Sequence, residues 1–332
     1  ENGLEVKLIA RKGNNEKNIF EYYGVKKNLF KIYLVERPNI RILGGFIYGW
    51  RVNRIFKDLD KPDFIYARSI HALRRINPKK IPFFFESHWK PINKLYHSWE
   101  QKLLTRSNLV AFIFISKGLE DIYKKLFPRF FKKFNILHDA CNIPNVKINN
   151  KTNNRLQVGY IGSFFKGNGY GLIPEMALKM PEIDFHIVGG KEPILSQLKR
   201  GNKLINLKFY GHIPHKDLIK IYNRMDVMLA PYQNDLPHIK WVSPMKIFEY
   251  MSYKKAIIAS DFPVIREVLN EENSILVEPD NIDAWIDSIE KLKAKKIREQ
   301  LSENGFKLFL NKYTWNKRAK EIIEIYEKNR NE

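Results

Sequence analysis

Two ionisable residues, Lys246 and Glu249, lie three positions apart at the start of a short predicted helix. Ser243 is a preferred helix N-cap residue, and Pro244 suits the first helical position because its missing N–H would have no partner there. A helix that begins here directs free amides and the positive end of its dipole outward, which favours an anion. Residues three apart share a helix face, so Lys246 could meet a diphosphate while Glu249 meets ribose hydroxyls. A sugar nucleotide has this chemistry, and a well-capped amphipathic helix without a ligand is the alternative.

A glycine-rich loop, residues 162–169, follows a predicted strand at 156–161 and precedes a predicted helix at 171–180. A phosphate-binding loop needs this context, because glycines let the backbone approach phosphate where side chains would collide. Lys166 adds a cation to the loop. A plain tight turn remains the alternative interpretation of the same residues.

The signature that begins at Ser243 reads Ser-Pro-x-Lys-x-Phe-Glu-Tyr-Met, and Ile-Ile-Ala-Ser-Asp-x-Pro-x-x-x-Glu-Val follows it over residues 257–268. This pair of segments resembles the donor-binding signature of family-4 retaining glycosyltransferases of the GT-B fold. The resemblance implies an α/β protein with two Rossmann-like, doubly wound parallel-sheet domains that face each other across a cleft. It also implies a nucleoside-diphosphate sugar, either a UDP- or a GDP-sugar, as the donor.

The resemblance assigns roles residue by residue. The expected diphosphate contacts are Gly162, Ser163, Lys166, Ser243, Pro244, Met245 and Lys246. Glu249 is expected to hold the ribose, the backbone of His212 and Ile213 the base, and His88, Lys246 and Lys166 are the expected catalytic residues. The family commonly has Arg where this chain has Ser163, Lys-Gly where it has Asn168-Gly169, and a further Glu where it has Trp241. Lys166 is therefore expected to replace the missing loop cation.

In the first half of the chain, His88 closes a predicted strand at 81–86 as part of Phe85-Glu-Ser-His88. The family often has a Glu-x-His pair here, with the histidine directed at the transferred sugar. A satisfied or surface histidine is the alternative for His88. Arg68, which ends another predicted strand, is a weaker candidate on the acceptor side, and His238 and Lys240 are more typical of solvated loop residues.

The chain of 332 residues has 44% hydrophobic and 28% charged residues, which is enough for two globular domains. Strands and helices alternate over residues 1–148 and again over 155–312, with a polar, breaker-rich linker at 142–154. Residues 313–330 resemble the family's closing helix, which often packs on the first domain. The first residues resemble the end of the family's first helix, so the first strand is expected to be missing. One cysteine, Cys141, fits a reducing cytoplasm.

The net charge of +22 is concentrated in the first half of the chain. Residues 1–150 hold 29 Lys and Arg against 13 Asp and Glu. The stretch 124–134 mixes cations with four phenylalanines, a composition typical of peripheral contact with an anionic membrane. A basic loop with one apolar face packed inward is the alternative. No nucleic-acid motif accompanies the charge.

These observations predict a retaining, metal-independent glycosyltransferase without a cofactor, which acts on a glycan or lipid-linked acceptor in cell-envelope polysaccharide synthesis. We expect it on the cytoplasmic face of the membrane. Histidines and acids show no metal-ligand spacing. Two alternatives stay open. A nucleotide-sugar epimerase of the same fold would use the same donor residues, and a non-catalytic glycosyltransferase-like partner subunit would explain the departures at Ser163 and Asn168.

Overall fold

A computed structural model describes residues 2–13, 19–20, 29–40, 43–144 and 154–331. It divides the chain into two compact units. The first comprises residues 1–137 together with 319–332, and the second comprises residues 138–318. Residues 145–153 of the predicted linker lie outside the described part of the chain.

The first unit contains two parallel sheets. Its strands are β1 (Lys7–Arg11), β2 (Lys31–Val35), β3 (Ile65–Ala67), β4 (Phe83–Ser87), β5 (Leu109–Phe114) and β6 (Phe134–Ile136). Strands β1 and β2 form one sheet, and the other four pair in chain order. Its helices are α1 (Leu43–Lys57), α2 (Ile70–Ile76), α3 (Lys94–Leu104) and α4 (Lys117–Leu126). Strands β4 and β5 are almost wholly buried, as their apolar sequences Phe-Phe-Phe and Ala-Phe-Ile-Phe predict.

The second unit is a doubly wound parallel sheet of six strands in the order β12-β11-β10-β7-β8-β9. The strands are β7 (Gln157–Ile161), β8 (Asp184–Val188), β9 (Leu207–Gly211), β10 (Val227–Ala230), β11 (Ala256–Ser260) and β12 (Ile275–Val277). Its helices are α5 (Ile173–Lys179), α6 (Ile194–Gly201), α7 (Leu218–Tyr222), α8 (Met245–Ser252), α9 (Pro263–Arg266), α10 (Ile282–Lys291) and α11 (Lys295–Lys312). The strand order reverses between β7 and β10, and such a switch point leaves a crevice at the carboxyl ends of the strands.

The predicted α/β class with parallel sheets is confirmed. A final helix, α12 (Trp315–Asn331), continues the chain from the second unit into the first. Within the first unit its Tyr326 ring lies 4.7 Å from the ring of Phe64 and it joins the cluster around Phe84 and Ile113. The described part of the chain contains no helix that is both long and apolar enough to cross a membrane.

The division between the units falls at residues 137 and 138, before the linker that the sequence indicates. The reason is local pairing. The amide of Asp139 donates to Ser243 Oγ at 3.2 Å, and Cys141 forms an isolated parallel β-bridge with Thr314. Residues 138–141 are therefore tied to the second unit although they follow the last strand of the first.

Candidate functional site

Three glycines end adjacent strands at the switch-point edge of the second unit. The amide of Gly162 donates to the carbonyl of Val188 at 3.0 Å, and the amide of Gly189 donates to the carbonyl of Gly211 at 2.7 Å. Gly189 has φ +116°, and a Cβ there would lie 1.9 Å from the Gly162 carbonyl oxygen. At these three positions only backbone atoms line the edge of the sheet, and the missing side chains leave room for a ligand.

The loop after β7, residues 162–169, is held rigid by its own polar atoms. The side-chain amide of Asn168 donates to the carbonyl of Ser163 at 3.1 Å and to its Oγ at 2.9 Å. Gly169 has φ +72°, and a Cβ there would lie 1.5 Å from the carbonyl oxygen of Pro231. The two positions that depart from the family pattern, Ser163 and Asn168, therefore bind each other.

Lys166, the expected replacement cation in this loop, points outward. Its side chain is 84% exposed, and its Nζ lies 3.6 Å from Asp235 Oδ2. Water and a carboxylate already compensate this charge, so Lys246 is the better placed of the two predicted cations.

Helix α8 begins one residue later than the sequence predicts. Pro244 occupies the N-cap position with φ −83° and ψ 87°, and no side chain caps the helix. Ser243 is buried, and its Oγ accepts the amide of Asp139, so the expected Ser243 cap is not formed. The Met245 amide donates back to the Ser243 carbonyl at 3.1 Å, so it does not point freely outward. The amide contribution of this helix start is smaller than the sequence indicates.

Lys246 places a cation beside the loop after β7. Its Nζ is buried and has no hydrogen-bond partner within the described residues. The ammonium lies 4.4 Å from the ring centroid of Tyr160 and 4.6 Å from that of Tyr232. A Cβ on Gly162 would approach this Nζ to 3.1 Å. Lys246 therefore points at the loop after β7, inside a pair of aromatic rings.

Burial lowers the pKa of Lys246 to about 7, against an opposing effect of the Glu249 carboxylate. The two tyrosines cannot supply a counter-charge, because burial raises the pKa of Tyr160 and of Tyr232 and keeps both neutral. The Tyr160 hydroxyl also donates to the carbonyl of Ser163 at 2.9 Å, so its ring face meets the cation. Cation–π contact compensates part of the lost hydration, and an anion would compensate the rest.

Glu249 lies one helical turn after Lys246 and is partly buried. Its Oε2 accepts the hydroxyl of Tyr222 at 3.0 Å, and its Oε1 lies 3.4 Å from Nε2 of His215. The hydrogen bond to Glu249 raises the pKa of His215. The carboxylate is thus fixed in position while retaining capacity to accept ligand hydroxyls.

The loop after β9 brings His215, which is not among the predicted site residues, into contact with Glu249. His212 is exposed, Ile213 is partly buried against the apolar cluster of the second unit, and His215 contacts Glu249. No sequence motif marks His215. Its position follows from the 3₁₀ turn His215–Asp217 before α7, whose Tyr222 contacts the same carboxylate.

In the first unit, His88 belongs to a charged cluster at the end of β4. His88 Nε2 lies 2.5 Å from Glu86 Oε1, and its Nδ1 lies 3.1 Å from a terminal nitrogen of Arg68. Arg68 Nε lies 3.5 Å from the same Glu86 oxygen, and the Tyr66 hydroxyl bonds the other one. Glu86 is buried and contacts the imidazole through one nitrogen. His88 and Arg68, the sequence candidates of this unit, therefore lie in one cluster.

Residues 155–295 match the family model described as glycosyl transferases group 1. Sucrose-phosphate synthase of Thermosynechococcus elongatus superposes with a TM-score of 0.71 at 16% identity, covering 98% of this chain and 89% of that chain. HepE of Anabaena in complex with UDP gives a TM-score of 0.73 at 13% identity, covering 98% of this chain and 100% of that one; it is also known with UDP-glucose.

A third similar structure is the lipopolysaccharide outer core galactosyltransferase WaaB, with a TM-score of 0.66 at 13% identity, covering 97% of this chain and 99% of that chain. No curated protein matches this sequence. The fold is that of the GT-B glycosyltransferases. The matched residues 155–295 include both Lys246 and Glu249.

Proposed function

We propose that this chain transfers a sugar, with retention of configuration and without a metal, from a nucleoside-diphosphate sugar to a glycan or lipid-linked acceptor of the cell envelope. The observation that carries the proposal is the buried Lys246 Nζ, which forms no hydrogen bond with a described residue and lies beside the loop after β7. A diphosphate would satisfy this charge. The complexes of HepE with UDP and with UDP-glucose support the choice of donor.

The donor half of the reaction follows from charge. As the glycosidic bond breaks, negative charge develops on the leaving diphosphate. An ammonium already stripped of water and held by two rings stabilises that charge without reorganising. Glu249, fixed by Tyr222 and His215, would hold ribose hydroxyls and so orient the nucleotide. No step needs a bound cation, because Lys246 supplies the positive charge.

On the acceptor side, His88 would contact the transferred sugar, and the departing phosphate oxygen would accept the acceptor's proton on the same face. This assignment requires no carboxylate nucleophile. Glu86 sets the orientation of the His88 ring and leaves Nδ1 to Arg68 or to a ligand. WaaB, whose name states a lipopolysaccharide substrate, supports an envelope acceptor.

The donor assignment is tested by release of UDP from UDP-glucose or GDP from GDP-mannose, together with calorimetric binding of UDP and GDP. Wild type should bind one nucleotide per chain and should release UDP or GDP from the sugar nucleotide. The anomeric configuration of the sugar in the product should match that in the donor. Lys246→Met should abolish release. Lys255→Met is the matched control, because Lys255 is also a buried lysine but its Nζ donates to the carbonyl of Met225 at 2.9 Å, before the amino end of β10. Binding without release would favour a partner subunit, and isomerised sugar nucleotide would favour an epimerase.

The membrane assignment rests on residues 124–134. Within this stretch Lys124 pairs with Glu120 at 2.9 Å, and Lys133 donates to the carbonyl of Arg106 at 2.6 Å. The exposed cations of the stretch are Lys125, Arg129 and Lys132, and its exposed large apolar side chains are Leu126 and Phe131. Three cations around two apolar side chains suit peripheral contact with anionic headgroups, at about 1 kcal/mol per cation.

Vesicle sedimentation tests this contact. Wild type should bind vesicles of anionic phosphatidylglycerol at low salt and should not bind neutral phosphatidylcholine. The triple variant Lys125→Gln, Arg129→Gln and Lys132→Gln should lose binding. A control triple on exposed residues of the second unit, Lys199→Gln, Arg200→Gln and Lys203→Gln, removes the same charge and should keep it. Equal loss in both triples would mean that net charge, and not this surface, drives the attraction.

A further inference from the structure

A small cavity in the first unit has no role in the donor chemistry. Its volume is about 200 Å³, and its lining consists of Arg11, Arg37, Gly45, Tyr48, Ser69 and His71. Arg11 is the last residue of β1, and Arg37 follows β2 by two residues. Because β1 and β2 are parallel and in register, the two guanidinium groups come from the same end of the sheet.

The positive charge of this cavity is not neutralised by the described part of the protein. Neither Arg11 nor Arg37 forms an ion pair with a described residue. The carboxylate next to Arg37, Glu36, instead lies 3.4 Å from Lys12 Nζ and 3.9 Å from an Arg51 guanidinium nitrogen. Both arginine residues are exposed and line the cavity, so an anion bound there would form charge-assisted hydrogen bonds with both guanidinium groups.

His71 supplies a buried polar atom without a partner in the same cavity. Its Nε2 lies 2.8 Å from the Tyr96 hydroxyl, while its Nδ1 is buried and bonds no described group. The imidazole fits because residue 45 is glycine: a Cβ there would lie 2.5 Å from the ring. A buried nitrogen without a partner destabilises the protein, and a hydrogen bond to a ligand oxygen would remove that cost.

The hydroxyls complete the donor set. Ser69 Oγ accepts the amide of Ala72 at 3.4 Å as the cap of α2, so its proton stays available. The Tyr48 hydroxyl makes no hydrogen bond to the described residues. Burial raises the pKa of Tyr48, although the charges of Arg11 and Arg37 oppose this effect, so the phenol keeps its proton. The cavity therefore offers two cations and three further donors.

We propose that this cavity binds a phosphoryl group, and that the phosphoryl group belongs to the acceptor. The second half of this statement rests on the proposed function, and the first half does not. A phosphate monoester has three terminal oxygens and nearly two negative charges at neutral pH. Two arginines balance that charge, and five donors exceed what the two oxygens of a carboxylate can accept.

The ring of His71 provides a local readout. With histidine labelled by ¹⁵N, the His71 signal is followed during titration with inorganic phosphate and, separately, with acetate. We expect phosphate to shift the His71 signal saturably and acetate to bind at least tenfold more weakly. The same shift should persist in the Lys246→Met variant, since the donor site is not involved. Failure of sugar transfer would therefore leave this test unaffected.

Two variants make the assignment specific. Arg11→Gln and Arg37→Gln together should weaken phosphate binding roughly a hundredfold, about tenfold for each charge-assisted contact. The double variant Arg51→Gln and Arg54→Gln removes two arginines from α1 and should leave binding within about twofold. An unchanged signal of His97, which stacks on Phe127 in the same unit, and each single Arg variant control for misfolding of the first unit. No saturable shift in wild type, or equal weakening in both doubles, overturns the proposal.

Glucose 6-phosphate and short-chain dihexanoyl phosphatidic acid identify the source of the phosphoryl group. Both carry the same phosphate monoester, one on a sugar and one on a lipid. Tighter binding of either ester than of inorganic phosphate supports an acceptor phosphate and names its class. Weaker binding of both esters than of inorganic phosphate would overturn the assignment to an acceptor.

Discussion

Replacement of Lys246 by methionine should stabilise the ligand-free protein. It should also abolish the uptake of a proton that accompanies nucleotide binding. Lys246 has a pKa of about 7 in the folded chain against 10.5 when solvated. Between these values the unfolded chain binds more protons than the folded one, so stability rises with pH through this window. At pH 7 the buried ammonium costs the folded state about 4 kcal/mol, and Lys246→Met removes that cost.

A bound diphosphate reverses the effect of burial, because the anion favours the charged form of the lysine. At pH 8 only about a tenth of the free protein carries the Lys246 proton, so binding should take up about 0.9 proton. Affinity should then fall about 20-fold between pH 7.5 and pH 9, as the protonated fraction falls from about a quarter to about a hundredth.

Calorimetry in two buffers of different ionisation enthalpy measures this proton, with UDP and GDP as ligands. Wild type and Lys255→Met should both take up the proton. Burial also lowers the pKa of Lys255 to about 8, but the hydrogen-bond partner of Lys255 is the Met225 carbonyl and not the nucleotide. Lys246→Met should bind weakly and without pH dependence. A parallel His215→Gln series separates the titration of His215, whose pKa Glu249 raises. Proton uptake that survives in Lys246→Met would refute the reasoning.

Three further outcomes follow from the described contacts. Glu249→Gln should weaken UDP or GDP binding by about 1–3 kcal/mol, with folding retained through the hydrogen bond from Tyr222; unchanged affinity in calorimetry would contradict ribose binding. His88→Gln should lower kcat about 10- to 100-fold while nucleotide affinity stays constant, since His88 is assigned to the sugar and Glu86 holds only its ring; equal loss of both would indicate misfolding. Burial raises the pKa of Glu100 to about 8, so the folded chain binds the extra proton between pH 4.5 and 8, and stability falls through that window. Glu100→Gln should therefore add about 3 kcal/mol at pH 7 and nothing at pH 4 in thermal unfolding.

Much of the second unit could be predicted from the chain alone. The strand predicted at 156–161 is β7 (Gln157–Ile161), because buried parallel strands are short apolar runs bounded by glycine, proline or polar residues. Helix α8 and the pairing of Lys246 with Glu249 on one face also follow from spacing. The helices α2 and α11 were not predicted, since α2 has seven residues and α11 has a weak apolar stripe with Gly305 inside it.

The site geometry was less accessible to sequence. The prediction that Ser243 caps the helix is wrong because its Oγ accepts the amide of Asp139 instead. Helix propensity carries no information about contacts between residues 104 positions apart. His215 and Tyr222 reach Glu249 through the winding of β9 and α7, which no local pattern encodes. The exposure of Lys166 likewise depends on the turn made by Gly167 and Gly169, both at positive φ.

The clamp between Ser163 and Asn168 has an evolutionary consequence. Asn168 donates to the Oγ and to the backbone carbonyl of Ser163, so replacing Asn168 removes two hydrogen bonds, whereas replacing Ser163 removes only the one to Oγ. The order in which the two residues change therefore decides how many of these contacts a single-step intermediate keeps. Because the two residues are in contact, their substitutions are coupled and should not add in a double-mutant cycle.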